Sequence, residues 1–348
     1  MKPVVVLIGC GRIGFLLEND PLRYKPCTHY GGTQSAKLSI THACDINEKR
    51  LNAFSKIAGI PQSHCYTDYQ KLIEHEKPQC VIIASWTHTH APIGIAAAKH
   101  GAKVIVCEKP VASDLAQAKA FIDECNTHST TLIINHERRY DYRYNYVKKL
   151  INNNEIGRIS SVHGFVFTPS KMHQSGSGGG PLLHDGTHLI DIVQYLFGSI
   201  AQVQGYTTRY SQNSLYEDYA IAHCITTSGI HVTLEAGGYR DYFMFELQIF
   251  GTSGRIVIGN GYLYLYTPKK SRFYKGFNDL IASDVTPKGK PDYFVKLYKE
   301  AKQCLHKPVN VTSSGYDGYQ ALEVIQAIYL SANHNGEKIM LPLNVELQ

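Results

Sequence analysis

The sequence predicts two domains of different class. The first is α/β, a doubly wound parallel sheet; the second is α+β, with a large, mostly antiparallel open sheet. Two textures and one motif carry that reading. Up to about residue 135 the strands read as short unbroken apolar runs, such as Val4-Val5-Val6-Leu7-Ile8 and Cys80-Val81-Ile82-Ile83-Ala84. Runs of that kind suit strands buried on both faces. After about residue 155 the runs alternate with period two, as in Phe245-Glu246-Leu247-Gln248-Ile249, which suits a sheet packed on one face only. The motif is a glycine-rich turn directly after the first strand.

The parallel strands are expected at 4–8, 39–44, 80–84, 104–107 and 132–134. Between them, 47–58 places Leu51, Phe54 and Ile57 at helical spacing. Residues 92–100 are alanine-rich and stop at Gly101, and 114–125 follows Ser113, a candidate N-cap. In the second half, strands are expected at 231–235, 245–249 and 262–266, parted by glycine turns. An amphipathic helix at 320–332 closes the chain. The boundary falls between 135 and 142, which gives domains at 1–137 and 138–348.

Composition agrees with that layout. At about 150 residues per domain, 348 residues suit two domains. Hydrophobic residues at 43% against charged residues at 18% exclude global disorder and coiled coil. No apolar run approaches the roughly 20 residues that cross a bilayer. The stretch Met1-Lys2-Pro3 before the first strand is too short for a signal peptide. Nine cysteines without a C-x-x-C, several inside apolar runs, are expected to be small buried hydrophobes in a reducing compartment, so the expected location is cytoplasmic.

A net charge of +6 is too mild to imply nucleic acid binding. The charge is uneven, however: residues 267–307 hold ten bases against four acids, an excess equal to that of the whole chain. That stretch reads either as a solvated loop and helix surface or as a rim attracting an anionic substrate.

The turn itself is Gly9-Cys10-Gly11-Arg12-Ile13-Gly14, a G-x-G-x-x-G that follows a buried strand and is expected to open a helix. In the dinucleotide-binding (Rossmann) arrangement, the first glycine allows a tight turn. The second admits a pyrophosphate to the backbone, and the third lets strand and helix pack closely. The helix N-terminus then offers unpaired N–H groups to the phosphates. The acid that binds the ribose should end the second strand, and Asp45 is the candidate. It lies 31 residues past Gly14, where about 20 is usual, so an insertion around 24–34 is expected. A carboxylate there accepts hydrogen bonds from a 2′-hydroxyl and repels a 2′-phosphate, so NAD is favoured over NADP.

Two more stretches carry chemistry. Val106-Cys107-Glu108-Lys109-Pro110 places a lysine at the carboxyl end of a parallel strand, where open α/β sheets bind ligands. Further on comes Gly178-Gly179-Gly180-Pro181-Leu182-Leu183-His184-Asp185-Gly186-Thr187-His188-Leu189-Ile190-Asp191. If 182–197 is a helix ending at Gly198, then His184, His188, Asp191 and Tyr195 form one polar stripe, with Asp185 in reach of His188. Two histidines one turn apart can also share an ion, but no third ligand is fixed by spacing, so no metal is expected.

Taken together, these features resemble the glucose–fructose oxidoreductase / inositol dehydrogenase / MocA family over nearly the whole chain. The matching elements are the glycine turn, Asp45 with Asn47-Glu48-Lys49-Arg50, His90, Glu108-Lys109-Pro110, Arg138-Arg139-Tyr140, Glu155-Ile156-Gly157 and the triple-glycine helix. The resemblance implies an NAD(P)-dependent dehydrogenase or reductase acting on a hydroxyl carbon of a sugar, inositol or nucleotide sugar, assembled as a homodimer or homotetramer. It implies that Lys109 hydrogen-bonds the reacting oxygen and that His188 exchanges its proton. Cofactor contacts are implied for Gly9, Gly11, Arg12, Ile13, Gly14, Asp45, His90, Glu108 and Lys109. The family usually has Asp four residues before the histidine; this chain has His184 there and the acid at Asp185. Either Asp185 orients His188 from the next position, or His184 lines the pocket and alters substrate choice. A nucleotide-sugar dehydrogenase and a non-catalytic dinucleotide sensor on the same scaffold are the competing readings.

Overall fold

The computed structural model describes residues 3–169, 179–210, 215–307 and 309–343. Met1, Lys2, Gly178 of the triple glycine and 170–177 of the loop before it lie outside the described residues. In chain order the first elements are β1 (Val5–Ile8), α1 (His29–Ser35), β2 (His42–Cys44), α2 (Glu48–Ala58), β3 (Cys65–Tyr66), α3 (Tyr69–Glu76), β4 (Cys80–Ile83), α4 (Thr87–Lys99), β5 (Val104–Cys107), α5 (Leu115–Thr127) and β6 (Thr131–Ile134). Then come α6 (Tyr142–Asn152), β7 (Ile159–Phe167), α7 (Thr187–Phe197), β8 (Ile200–Thr208), β9 (Tyr219–Thr226), β10 (His231–Gly237), β11 (Met244–Gly251), β12 (Gly254–Ile258), β13 (Leu263–Lys270) and β14 (Asn278–Asp284). The chain closes with α8 (Tyr293–Cys304), α9 (Gly315–Asn333) and β15 (Ile339–Met340).

Two compact units result: residues 1–140 with 291–319, and residues 141–290 with 320–348. The expected partition at 137/138 therefore differs from the observed one, mainly because 291–319 returns to the first unit. Phe294, Leu297, Tyr298 and Ala301 of α8 join the core that surrounds β1, β4 and β5. Arg139 donates to Asp317 at 2.8 Å and to the Thr312 carbonyl, and the Tyr140 hydroxyl donates to Glu300. An amphipathic pattern announces a buried helix face, but not which core it enters.

In the first unit the described strands form a parallel sheet in the order β3-β2-β1-β4-β5-β6. β1, β4 and β5 are buried along their whole length, as unbroken apolar runs require. The order reverses between β1 and β4, and ligands bind such sheets at that switch point. Capping mostly follows the sequence: the Asn47 side chain accepts from the Arg50 N–H to start α2. The cap of α5 is Asp114, which accepts from Gln117, rather than Ser113. Helix α4 begins at Thr87, five residues before Pro92.

The helix expected after the glycine turn is divided. A short 3₁₀ turn at Leu16–Asn19 follows it, the chain loops out, and α1 begins at His29. The N–H groups of His29 and Tyr30 then donate to the Ile13 and Gly14 carbonyls, both at 3.0 Å. α1 thus resumes the turn that 11–14 began. The extra residues sit at 20–28, earlier than the sequence suggested, because Pro21 and Pro26 cannot supply helical N–H donors.

In the second unit a nine-stranded sheet runs in the order β14-β13-β12-β11-β7-β10-β9-β8-β15. It is antiparallel except for the parallel pair β7–β10. Strands β9, β10 and β11 alternate buried and half-buried residues. Their buried face packs on α7 and α9, where Leu189, Ile190 and Ile328 meet Ala220, Leu234 and Ala236.

Candidate active site

The site residues expected from the sequence fall in both units. In the first, Gly9 has φ +100°, and a Cβ there would lie 2.5 Å from the Ala84 carbonyl oxygen at the end of β4. The turn is therefore pressed against the switch point, which only glycine permits. A Cβ on Gly14 would meet the Gly9 oxygen at 2.3 Å, which is the close packing expected of a third glycine. A Cβ on Gly11 would meet nothing within 4 Å. Open space at that one glycine is where a pyrophosphate can approach the backbone. Arg12 is exposed and Ile13 half-buried on the same turn.

Asp45 ends the β2 segment beside this turn. Its Oδ2 accepts from the Cys10 N–H and its Oδ1 from the Asn47 N–H, each at 2.8 Å. These two bonds fix the carboxylate while leaving each oxygen a lone pair for a hydroxyl donor. The residues present thus fit the adenosine half of a dinucleotide.

Lys109 is half-buried at the carboxyl end of β5, and its peptide bond to Pro110 is cis. The preceding Glu108 is buried, and its Oε1 accepts from His29 Nε2 at 2.9 Å and from Asn135 Nδ2 at 2.6 Å. Burial alone would raise the Glu108 pKa; His29, Lys109 and Asn135 outweigh it and hold the carboxyl down to about 2. His90 is 1% exposed, and its ring nitrogens face the Pro110 and Ser85 carbonyls at 2.8 and 3.2 Å. Burial pushes its pKa down. Such a ring braces the turns at 85 and 110. The Glu108 carboxylate turns toward His29 and Asn135.

In the second unit the polar helix begins as a π turn at Leu182–Gly186, runs on as α7, and stops at Gly198, φ +89°. π turns concentrate at functional sites because they re-aim side chains within a helix. His184, Asp185 and His188 are half-buried. The Asp185 carboxylate accepts from the Thr168 hydroxyl at 3.3 Å, from the end of β7. Glu217 holds the start of the turn, accepting from the Leu182 N–H and the Tyr329 hydroxyl, both at 3.0 Å. The far end of the expected stripe is used otherwise. Tyr195 donates to Asn145 at 2.9 Å, with Lys148 over its ring, and Asp191 is 1% exposed. Among the described residues no group of three His, Cys, Asp or Glu is arranged to hold a metal ion.

Residues 4–136 match the family model described as oxidoreductase family, NAD-binding Rossmann fold, and residues 144–257 match the GFO/IDH/MocA C-terminal domain. The chain belongs to the GFO/IDH/MocA oxidoreductase family. A myo-inositol 2-dehydrogenase of Thermotoga maritima is 24% identical over 73% of this chain and 74% of its own length. Among solved structures, the WlbA dehydrogenase of Bordetella pertussis in complex with NADH and UDP-GlcNAcA superposes with a TM-score of 0.78 at 22% identity, over 99% of this chain and all of that one. A levoglucosan dehydrogenase with NADH and levoglucosan gives a TM-score of 0.80 at 19% identity, with the same two coverages. These likenesses fix the fold as that of the family.

Sequence reasoning missed His29, Asn135 and Tyr298 behind Lys109, and Thr168 and Glu217 around the π turn. His29 lies just past the unforeseen loop, and its partners are 79 and 269 residues away. No periodicity marks contacts of that range. The basic stretch is also divided: 267–290 belongs to the second unit and 291–307 to the first. In the first, Lys302 donates to the Lys37 carbonyl at 2.9 Å and Lys296 pairs with Asp292 at 2.8 Å. Two of the four lysines in that part are engaged within the fold.

Proposed function

We propose that this family member transfers hydride, NAD(H)-dependently, at a hydroxyl or carbonyl carbon of a sugar, cyclitol or related polyol. The observation that carries the reading is the glycine turn, open only at Gly11, with the Asp45 carboxylate fastened beside it. When bound, a nicotinamide dinucleotide supplies the hydride acceptor or donor. The Gly9–Gly14 backbone holds its pyrophosphate, and Asp45 accepts from its ribose hydroxyls. The Asp45 carboxylate also repels a 2′-phosphate, which selects NAD over NADP.

Lys109 donates a hydrogen bond to the reacting oxygen, and His188 takes or returns the hydroxyl proton. An imidazole suits that task because it titrates near neutral pH. Asp185, fixed by Thr168, orients His188, and His184 lines the substrate pocket. The names of the relatives, which act on inositol and levoglucosan, support a polyhydroxylated substrate. No helix among the described residues is long and apolar enough to cross a membrane, and the expected setting is the cytoplasm. A homodimer or homotetramer built on the open sheet is part of the same reading.

The test is reduction of NAD, followed by NADH absorbance, against a panel of inositols, aldoses, anhydrosugars and nucleotide sugars. Turnover of at least one polyol, with NADP at least tenfold poorer in kcat/KM, is expected. Tight NADH binding with no turnover of any panel member would replace the enzyme by a sensor. Equal use of NADP would remove the role given to Asp45.

A further inference from the structure

A developed polar structure outside the cofactor turn surrounds Glu108, the residue before Lys109. The His29 ring is fully buried and stands edge-on to Phe294 at 5.4 Å and to Tyr298 at 5.9 Å between ring centres. Its Nδ1 meets the Tyr298 hydroxyl, and its Nε2 meets Glu108 Oε1 at 2.9 Å. A carboxylate only accepts, so Nε2 carries the hydrogen. The Asn135 amide is oriented by the same rule: its NH₂ donates to Glu108, while its buried Oδ1 meets no donor among the described residues. His29 of α1 and Asn135, just past the end of β6, thus converge on one carboxylate oxygen, with Tyr298 of α8 behind the imidazole.

Local packing needs none of this. An apolar side chain at 29 would fill the same space between Phe294 and Tyr298 without burying an imidazole. A buried ionisable group that is fully partnered usually orients something, and the residue next along the chain is Lys109. Glu108 and Lys109 are consecutive residues just past the end of β5, so the backbone that the Glu108 hydrogen bonds fix is the backbone that carries Lys109.

We infer that His29, held by Tyr298, is a positioning residue that fixes the Glu108 carboxylate and through it the Lys109 side chain. This rests on the reading of Lys109 as the group that contacts the reacting oxygen. His29 reaches no ligand itself; it sets where the lysine stands. The other groups near Glu108 include Asn135 just past β6, the adjacent Cys107 and Lys109, and His90 of α4, with the Tyr298 hydroxyl behind His29.

The experiment is a double-mutant cycle in the full-length enzyme with its best substrate. His29→Leu should lower kcat by about 10- to 100-fold, the scale of a small misplacement of a reacting group. KM and the Kd for NADH, read by fluorescence, should stay within about threefold, since the cofactor turn is untouched. His29→Gln keeps a donor toward Glu108 and should recover most of kcat. In a Lys109→Ala background, His29→Leu should cost nothing further, because residues acting as one unit are not additive. Should His29→Leu fail to fold, Glu108→Gln is measured in its place, with the same loss expected. Wild-type kcat in His29→Leu, or losses that multiply in the double variant, would overturn the inference while leaving Lys109 in its role. Wild-type kcat in Lys109→Ala would overturn both.

Discussion

Each unit buries a glutamate beside its polar segment, Glu108 and Glu217, and the two are shifted in opposite directions. Glu108 is held down to about 2 by His29, Lys109 and Asn135 against the pull of burial. Glu217 is raised, because burial dominates and Asp218 adds to it, despite the donors at Leu182 and Tyr329. Both accept two good hydrogen bonds from partners outside their own element. The difference lies in the company: an imidazole and an ammonium stand beside Glu108, whereas Glu217 has neutral donors and a neighbouring acid. The same number of hydrogen bonds thus leaves one buried carboxyl lowered and the other raised, according to which groups donate and what charge stands beside them.

The sharpest way to break the comparison is to remove the group proposed to react in each unit. Lys109→Ala and His188→Ala should each lower kcat by roughly 100-fold or more, the scale of a lost proton-handling group, with NADH affinity little changed. Stopped-flow and equilibrium binding separate the two quantities. If either variant keeps full kcat, that residue leaves the mechanism.

Next come the glutamates themselves, through acid. Glu108 has a folded-state pKa below its unfolded value, so its stabilisation is whole above about pH 4.5 and drains away as pH falls toward 2. Glu217 has the reverse sign, and its unfavourable charge is relieved as pH falls toward the ordinary carboxylate range. Urea titrations from pH 7 to pH 3 should therefore show Glu108→Gln with a flatter loss of stability than wild type. Glu217→Gln should lack a gain that wild type makes on mild acidification. Identical pH slopes in all three proteins would erase the distinction.

The smallest effect expected is at the end of the polar helix. Tyr195→Phe removes one hydroxyl bonded to Asn145 and should cost about 1 kcal/mol in thermal or urea unfolding, with unchanged kcat. A kinetic defect would return Tyr195 to the active stripe.

Much of this was readable in the residues, for definite reasons. Buried parallel strands announce themselves as apolar runs, and β1, β4 and β5 fell where Val4–Ile8, Cys80–Ala84 and Val104–Cys107 indicated. The Gly9–Gly14 turn was legible because Gly9 and Gly14 answer steric demands that no other residue meets, while Gly11 leaves its side open. Pairings set by tertiary folding were not. Nothing local says that α8 belongs with the first core, that Thr168 reaches Asp185, or that His29 meets Glu108. The π turn at 182–186 was equally silent, since its sequence also satisfies an α-helix.

The loop at 20–28 has a practical corollary. It departs after the 3₁₀ turn and comes back where the His29 and Tyr30 amides dock on Ile13 and Gly14. Its two ends are therefore neighbours, and Leu22 at its crest is 94% exposed. Lengthening such an excursion raises the closure entropy only slowly. A short peptide tag or a single fluorophore grafted at its crest would ride beside the phosphate-binding turn, a natural vantage point for reporting dinucleotide arrival.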